Sequence, residues 1–141
     1  MPTTLSTDEM KARVRSHFED FVNNRKAEVI RTNMTPDFYD HDGPGGEPTD
    51  TSGDEEMMRQ MYTMMPDLHL TIEDLIAEDD KVVTRWSASG THNGDFVGVP
   101  ASGRLITVTG IHIHRVRHGR LVEHWEELNM LGVLRQLGVL S

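Results

Sequence analysis

Cysteine is absent from the chain. That excludes a disulfide frame, a thiolate nucleophile and a cysteine-built zinc site, and nothing calls for an oxidising compartment. Long apolar runs are missing too: no stretch approaches the roughly 20 residues a helical membrane span needs. Residues 1–11 lack the basic start and apolar core of a secretory leader. The expectation is a cytoplasmic protein with no membrane partner. Positive charge is scarce, with 14 Lys and Arg against 23 Asp and Glu and a net charge of −9. Such a balance repels phosphate backbones, and the arginines form no basic stripe interleaved with aromatics, so nucleic acid is disfavoured as a partner. A Gly-x-Ser-x-Gly elbow that could present a serine nucleophile is likewise missing.

What is present reads as one domain of 141 residues, helices first and strands after. Ser6 precedes Glu9 at capping-box spacing, and Met10, Val14, Phe18 and Phe21/Val22 recur at helical steps to about Asn23. A second helical stretch from Arg25 carries Ala27, Ile30 and Met34 on one side and must stop before Pro36. Phe38 to His41 has strand character. Asp42 to Gly53, rich in Gly, Pro and acidic residues, is expected to be a mobile loop over one edge that acts as a lid. Ser52 and Glu55 repeat the capping-box spacing ahead of a third helix with Met57, Met61 and Met64/Met65, ending at Pro66.

From Leu68 the period becomes two. Leu68, Leu70 and Ile72 share one parity and Leu75 and Ala77 the other, which predicts a bulge near Glu73 and Asp74. Asp79 and Asp80 predict a turn into a strand over 81–92, followed by a glycine-marked connection through Gly94, Gly98 and Gly103. Strands over 105–117 and 120–129 then meet at His118 and Gly119. Leu131, Leu134 and Leu137 predict a short terminal helical turn.

Counting back from His118 and Gly119 pairs His114 with Glu123, His112 with Trp125 and Val108 with Asn129, all on one face. Ile111, Ile113, Arg115, Val122, His124, Glu126 and Leu128 then take the other. Two His, a Glu, a Trp and an Asn on one face suit a partly enclosed polar pocket, in which the His114 and Glu123 pair satisfies buried polar groups; an ordinary solvated face is the alternative. Trp125 favours a covered face. His112, His114 and Glu123 have the make-up of a two-His, one-carboxylate metal set, but with no supporting cysteine and eight histidines in the chain, no metal is expected. General acid/base work is better served, because imidazole titrates near neutrality and a carboxylate beside it fixes the tautomer. His112, His114, Glu123 and Asn129 are the candidate catalytic residues. His92, bracketed by Gly90 and Gly94, is a rim or turn candidate. The Met57 and Met61 row reads as core, or as an adaptable pocket wall together with Phe18.

Several motifs carry a family resemblance: Tyr39 to Asp42, Pro66 to His69, Gly90 to Pro100, Gly103-Arg104, Gly119 to Trp125 and Gln136 to Gly138. The stretch from Phe38 to Gly138 resembles the SnoaL-like polyketide cyclases of the NTF2-like superfamily. The resemblance implies an α+β fold, a cone-shaped curved antiparallel sheet packed with three N-terminal helices around a deep pocket, and a homodimer formed through the sheet. It implies intramolecular aldol-type ring closure on a polyketide by acid/base groups, with no metal or cofactor. His41 and Tyr39, Trp86, and Glu123 beside Trp125 fall where such proteins line the pocket. Asn129 stands where an acid/base Asp is usual, and an amide hydrogen-bonds an enolate oxygen but exchanges no proton. Three function classes therefore stand open: a cofactor-independent enzyme acting on an apolar carbonyl compound, a protein that only binds such a ligand, and a pure dimerisation module.

Overall fold

The computed structural model describes residues 5–140. Its first helix, α1 (Thr7–Phe18), opens on the expected capping box: the Ser6 hydroxyl accepts from the Glu9 amide, and the Glu9 carboxylate accepts from the Ser6 amide, each at 3.1 Å. The helix widens into a π-type turn over Glu19–Asn23, and a 3-10 turn at Ala27–Val29 leads into the short α2 (Ile30–Asn33). Pro36 has the effect expected of it, since the chain is already extended in β1 (Met34–Asp40).

The 42–53 segment is not wholly irregular. Thr49 pairs with Asp40 in both directions at 2.9 Å, and residues from Thr51 onward are the first turn of α3 (Thr51–Met64). Its cap is Asp50, whose carboxylate accepts from the Gly53 amide at 3.0 Å, and not Ser52, whose hydroxyl donates to Asp50. The remaining elements are β2 (His69–Glu78), β3 (Lys81–Thr91), β4 (Leu105–Arg117), β5 (Arg120–Leu128) and α4 (Met130–Gln136).

The fold is α+β, with a curved sheet in the order β1-β5-β4-β3-β2. It is mixed and not purely antiparallel, because β1 runs parallel to β5. Helix α1 packs across β2 and β3, while α2 and α3 flank β1 at the other edge. One sheet face is buried beneath these helices: Val82, Trp86 and Ala88 of β3, Ile106 and Val116 of β4, and Leu121 of β5 join Val14, Phe18, Phe21 and Met58 in the core. Trp125 is only half-buried.

Besides a slip of β1 against β5 between Met34 and Tyr39, two bulges set the registers. The predicted one lies in β2, where Ile72 faces Trp86 and Asp74 faces Arg85, leaving Glu73 unpaired. The other lies in β5 and was not expected. The His118-Gly119 turn, with φ of 52° and 76°, pairs Arg117 with Arg120 and Val116 with Leu121. Arg115 then faces Glu123, so Val122 is the extra residue and everything beyond it is shifted by one. His114 thus lies opposite His124 and His112 opposite Glu126, while Ile113 faces Trp125. The expected partners Glu123 and Trp125 belong to the opposite face, because a one-residue slip reverses every side chain.

Candidate functional site

Inward positions of β4 and β5 bring His112, His114, His124 and Glu126 together beneath α1. His112 and His114 stack at 5.5 Å between ring centroids, and His124 stands edge-on to both at 5.0 and 4.9 Å. His17 of α1 closes the group, 5.9 Å from His114, and Phe18 stands edge-on to His112 and His114. Trp86 of β3 donates from Nε1 to His112 Nδ1 at 2.8 Å. The indole fits there because residue 110 is glycine: a Cβ at that position would lie 2.5 Å from the ring. With Nδ1 accepting, His112 carries its proton on Nε2, which contacts the Glu126 carboxylate.

At the β1 edge, Phe38 and Asp40 point inward and Tyr39 outward, with His41 following on the outer side. Asp40 Oδ1 lies 2.9 Å from His124 Nε2, and the Asp42 amide donates to the same oxygen at 2.8 Å. Asp54, in the first turns of α3, reaches this pair; ligand atoms of Asp40, Asp54 and His124 all lie within 4.8 Å of one another. The three residues are 2%, 3% and 6% exposed. Among the described residues, both Asp54 carboxyl oxygens lack a hydrogen-bond donor and His124 Nδ1 has no partner.

The electrostatics follow from this burial. Loss of water pushes the Asp54 carboxyl up to about 9, and the neighbouring Asp40 charge adds to the shift. Asp40 feels the same loss of water, but the proximity of His124 and of the Asp54 acid overrides it and holds its carboxyl below the usual range. Asp40 is therefore the anion of the pair and Asp54 the acid. Burial raises Glu126, while the attraction of His112, through charge and hydrogen bond together, more than offsets this and leaves it lowered. His17 is driven down to about 3, chiefly by burial and then by His124 and His112, and His114 falls well below its ordinary value for the same reasons.

The outward face carries a second network. His41 donates from Nε2 to Glu123 at 2.8 Å and stacks on Trp125 at 4.6 Å, with Tyr39 edge-on to His41 at 4.6 Å. Arg115 bonds Glu123 at 2.6 Å and Asp80 at 2.8 Å, with its guanidinium 5.9 Å from the Trp125 ring. The His41 hydrogen bond, with help from Arg115, lowers the Glu123 carboxyl.

Of the residues picked out by sequence, His112, His114, Trp86 and Phe18 thus meet inside, whereas His41, Tyr39, Glu123 and Trp125 meet outside. His112, His114 and Glu123 cannot converge on one ion, since they lie on opposite faces. Asn129 is exposed, and its Oδ1 caps α4 by accepting from the Gly132 amide at 3.0 Å. His92 is fully buried under the β3–β4 connection, bonded through Nδ1 to Ser102 at 2.8 Å. Met57 and Met61 are half-buried and pack against the core. Asp40, Asp54, His124, Glu126 and His17 do not stand out in the sequence. The parity of β1 about the buried Phe38 points to Asp40; Val122 hides His124 and Glu126. Two surface cavities, of about 170 and 120 Å³, flank the β4–β5 turn. Neither is lined by the inward cluster. Among the described residues, no helix is long and apolar enough to cross a membrane.

A family model described as SnoaL-like polyketide cyclase matches residues 12–137. The aklanonic acid methyl ester cyclase DnrD of Streptomyces peucetius is 31% identical over 77 residues, covering 55% of this chain and 53% of that protein. The chain thus spans about half the length or less of the curated relatives it matches. Among solved structures, TsrD of Streptomyces laurentii is 31% identical, with a TM-score of 0.86 and coverage of 97% of this chain and 100% of that one. IdmH of Streptomyces antibioticus, a proposed polyketide cyclase, is 33% identical, with a TM-score of 0.80 and coverage of 92% and 98%.

Proposed function

This chain belongs to the SnoaL-like polyketide cyclase family, and from that premise we propose that it closes a ring in a polyketide-like carbonyl compound by general acid/base catalysis at the inward cluster. The observation that carries the reading is the Asp40–His124 pair beside a neutral Asp54. Asp40, as an anion, accepts from His124 Nε2–H, so in the neutral imidazole the lone pair is on Nδ1, which has no partner among the described residues. A buried imidazole oriented by a carboxylate, with its other nitrogen free, is equipped to take a proton from carbon next to a carbonyl. Asp54, protonated at neutral pH, donates a hydrogen bond to the enolate oxygen that forms. Burial that keeps a carboxylic acid neutral makes it a donor where a carboxylate would only repel the developing charge.

In the ring closure, the carbon–hydrogen bond breaks toward His124 Nδ1. The new enolate carbon bonds to a second carbonyl carbon within the same molecule. The oxygen of that second carbonyl then takes the proton held on His124 Nδ1, which restores the neutral imidazole. Substrate and product are isomers, so no oxidant, reductant or co-reactant enters. Asn129 has no part in these steps, since a helix cap is served by an amide as well as by a carboxylate.

Aklanonic acid methyl ester, named for the relative DnrD, is the first compound to try, followed by linear polyketide esters. The expected result is a product of unchanged mass with one ring more. His124→Gln should lower kcat at least about 100-fold, and Asp54→Asn, which keeps a donor, by a smaller factor. Undiminished ring closure by His124→Gln would sink the reading. A second reading, a protein that binds such compounds without converting them, is favoured by the surface cavities beside the β4–β5 turn, which lie away from the inward cluster. Retention of ligand without product would decide for it.

A further inference from the structure

We propose that Asp40, Asp54 and His124 also form a binding site for one divalent transition-metal ion of the zinc, cobalt or manganese kind. Three elements deliver the ligands, β1, α3 and β5, and their donor atoms all lie within 4.8 Å of one another. Asp40 Oδ1 and His124 Nε2 are 2.9 Å apart, which is the spacing of neighbouring ligands around a six-coordinate ion with bonds of about 2.1 Å. A hydrogen bond and a shared ion are therefore equally well served by the same two atoms.

Asp54 separates the two. It is 3% exposed and both carboxyl oxygens lack a donor among the described residues, although buried carboxyl oxygens are ordinarily satisfied. Without an ion, the stabilisation available is a proton shared with Asp40; a cation would satisfy both groups directly and offset the nearby charge of Glu126. The mixed donor set suits first-row ions, because imidazole favours zinc and cobalt and carboxylates accept zinc and manganese. Support for the ligands is already in place: the Asp42 amide fixes Asp40, and the Asp42 carboxylate in turn accepts from the Glu126 amide at 2.8 Å. Three protein ligands leave open positions for a carbonyl oxygen.

Ion binding takes the same three residues with Asp54 ionised, so it excludes the ring closure proposed above, which belongs to the ion-free chain and needs no metal. Full-length protein stripped with chelator is titrated with Co²⁺, followed by visible absorption, and with Zn²⁺, followed by calorimetry. One site per chain is expected, with Co²⁺ bands that Zn²⁺ abolishes and a rise of several degrees in Tm in excess Zn²⁺. Asp54→Asn should weaken Zn²⁺ binding at least about 100-fold, while His69→Ala and His118→Asn, at exposed positions, should leave it unchanged. Absence of one-to-one binding, equal affinity in Asp54→Asn, or loss of binding in the exposed-histidine variants would overturn the site. Should Asp54→Asn fail to fold by circular dichroism, His124→Asn takes its place, and a Zn²⁺-dependent rise in Tm that persists in that variant would overturn the site instead. A chain that binds Zn²⁺ but closes no ring removes the catalytic reading alone, and one that closes rings without binding Zn²⁺ removes this site alone.

Discussion

The two faces of the β4–β5 hairpin use nearly the same residue types to different ends. Inside, His112, His114, His124, Asp40 and Glu126 are largely removed from water, and several of the carboxyls and imidazoles leave their ordinary ranges. Outside, His41, Glu123, Arg115 and Asp80 form a chain of ion pairs, yet their side chains remain 21–37% exposed. Shielding by water makes the second network a modest contributor to stability and a poor place to hold an unusual protonation state. What separates the buried cluster from the surface network here is depth, set by a single unpaired residue.

The largest effect should come from removing that residue. Deleting Val122 would restore the simple register and turn Glu123 and Trp125 inward while expelling His124 and Glu126. The cost should exceed the roughly 5–15 kcal/mol that holds a domain together, so circular dichroism should find no cooperatively folded protein.

The pH dependence tests the inner face next. Below pH 6.5 the unfolded chain protonates His17 and His114, which stay neutral when folded, so stability present above 6.5 is lost as pH falls toward 3. Asp54 acts the other way: raised from 3.8 to about 9, it contributes stability at low pH that is lost as pH rises through 9. Counting these three groups, the folded chain holds one more proton than the unfolded one above 6.5, and the unfolded chain holds one more between 6.5 and 3.8. Urea unfolding should therefore show a maximum near pH 6.5, with limbs of about 1.4 kcal/mol per pH unit. Asp54→Asn should flatten the alkaline limb and raise stability at pH 8 by about 1–3 kcal/mol.

Outer-face changes should be small. Glu123→Gln removes the acceptor shared by His41 and Arg115, and the loss in urea unfolding should stay below about 1 kcal/mol. Asn129→Asp should be smaller still, within a few tenths of a kcal/mol, because either residue caps α4; Asn129→Ala should cost about 1 kcal/mol. A large loss from Glu123→Gln would show that the outer network is more than a surface feature.

Much of this architecture is written locally. The Ser6 cap, the Pro36 stop, the Asp79-Asp80 turn and the Glu73 bulge each follow from a few adjacent residues whose conformational preferences agree. The strand limits of β4 follow from a turn whose residues both accept positive φ. What could not be read locally was the Val122 bulge: it lies within an unbroken alternating run, and its cause is tertiary, since Leu121 must stay in the core while His124 meets Asp40. The parallel pairing of β1 with β5 is also invisible in a short strand whose partner lies more than eighty positions away. For the same reason His41 and Glu123, which the family resemblance places together at a pocket wall, do pair, yet on the far side of the sheet from His112.

Arg25 raises a different matter, the order in which the chain comes together. At a φ of 56°, in a region costly for a side chain with a Cβ, its guanidinium bonds the carbonyls of Val22, Pro66 and Leu68 and lies 5.6 Å over the Tyr62 ring. The last two carbonyls are 41 and 43 residues away. Closing so long a loop costs chain entropy before any of these bonds forms, so the end of the first helical segment is fixed only once the entry to β2 has arrived. Arg25 thereby ties the backbone strain at its own position to a late event in folding. Replacing it should quicken unfolding far more than it slows folding in stopped-flow measurements, the kinetic signature of a clasp that shuts last.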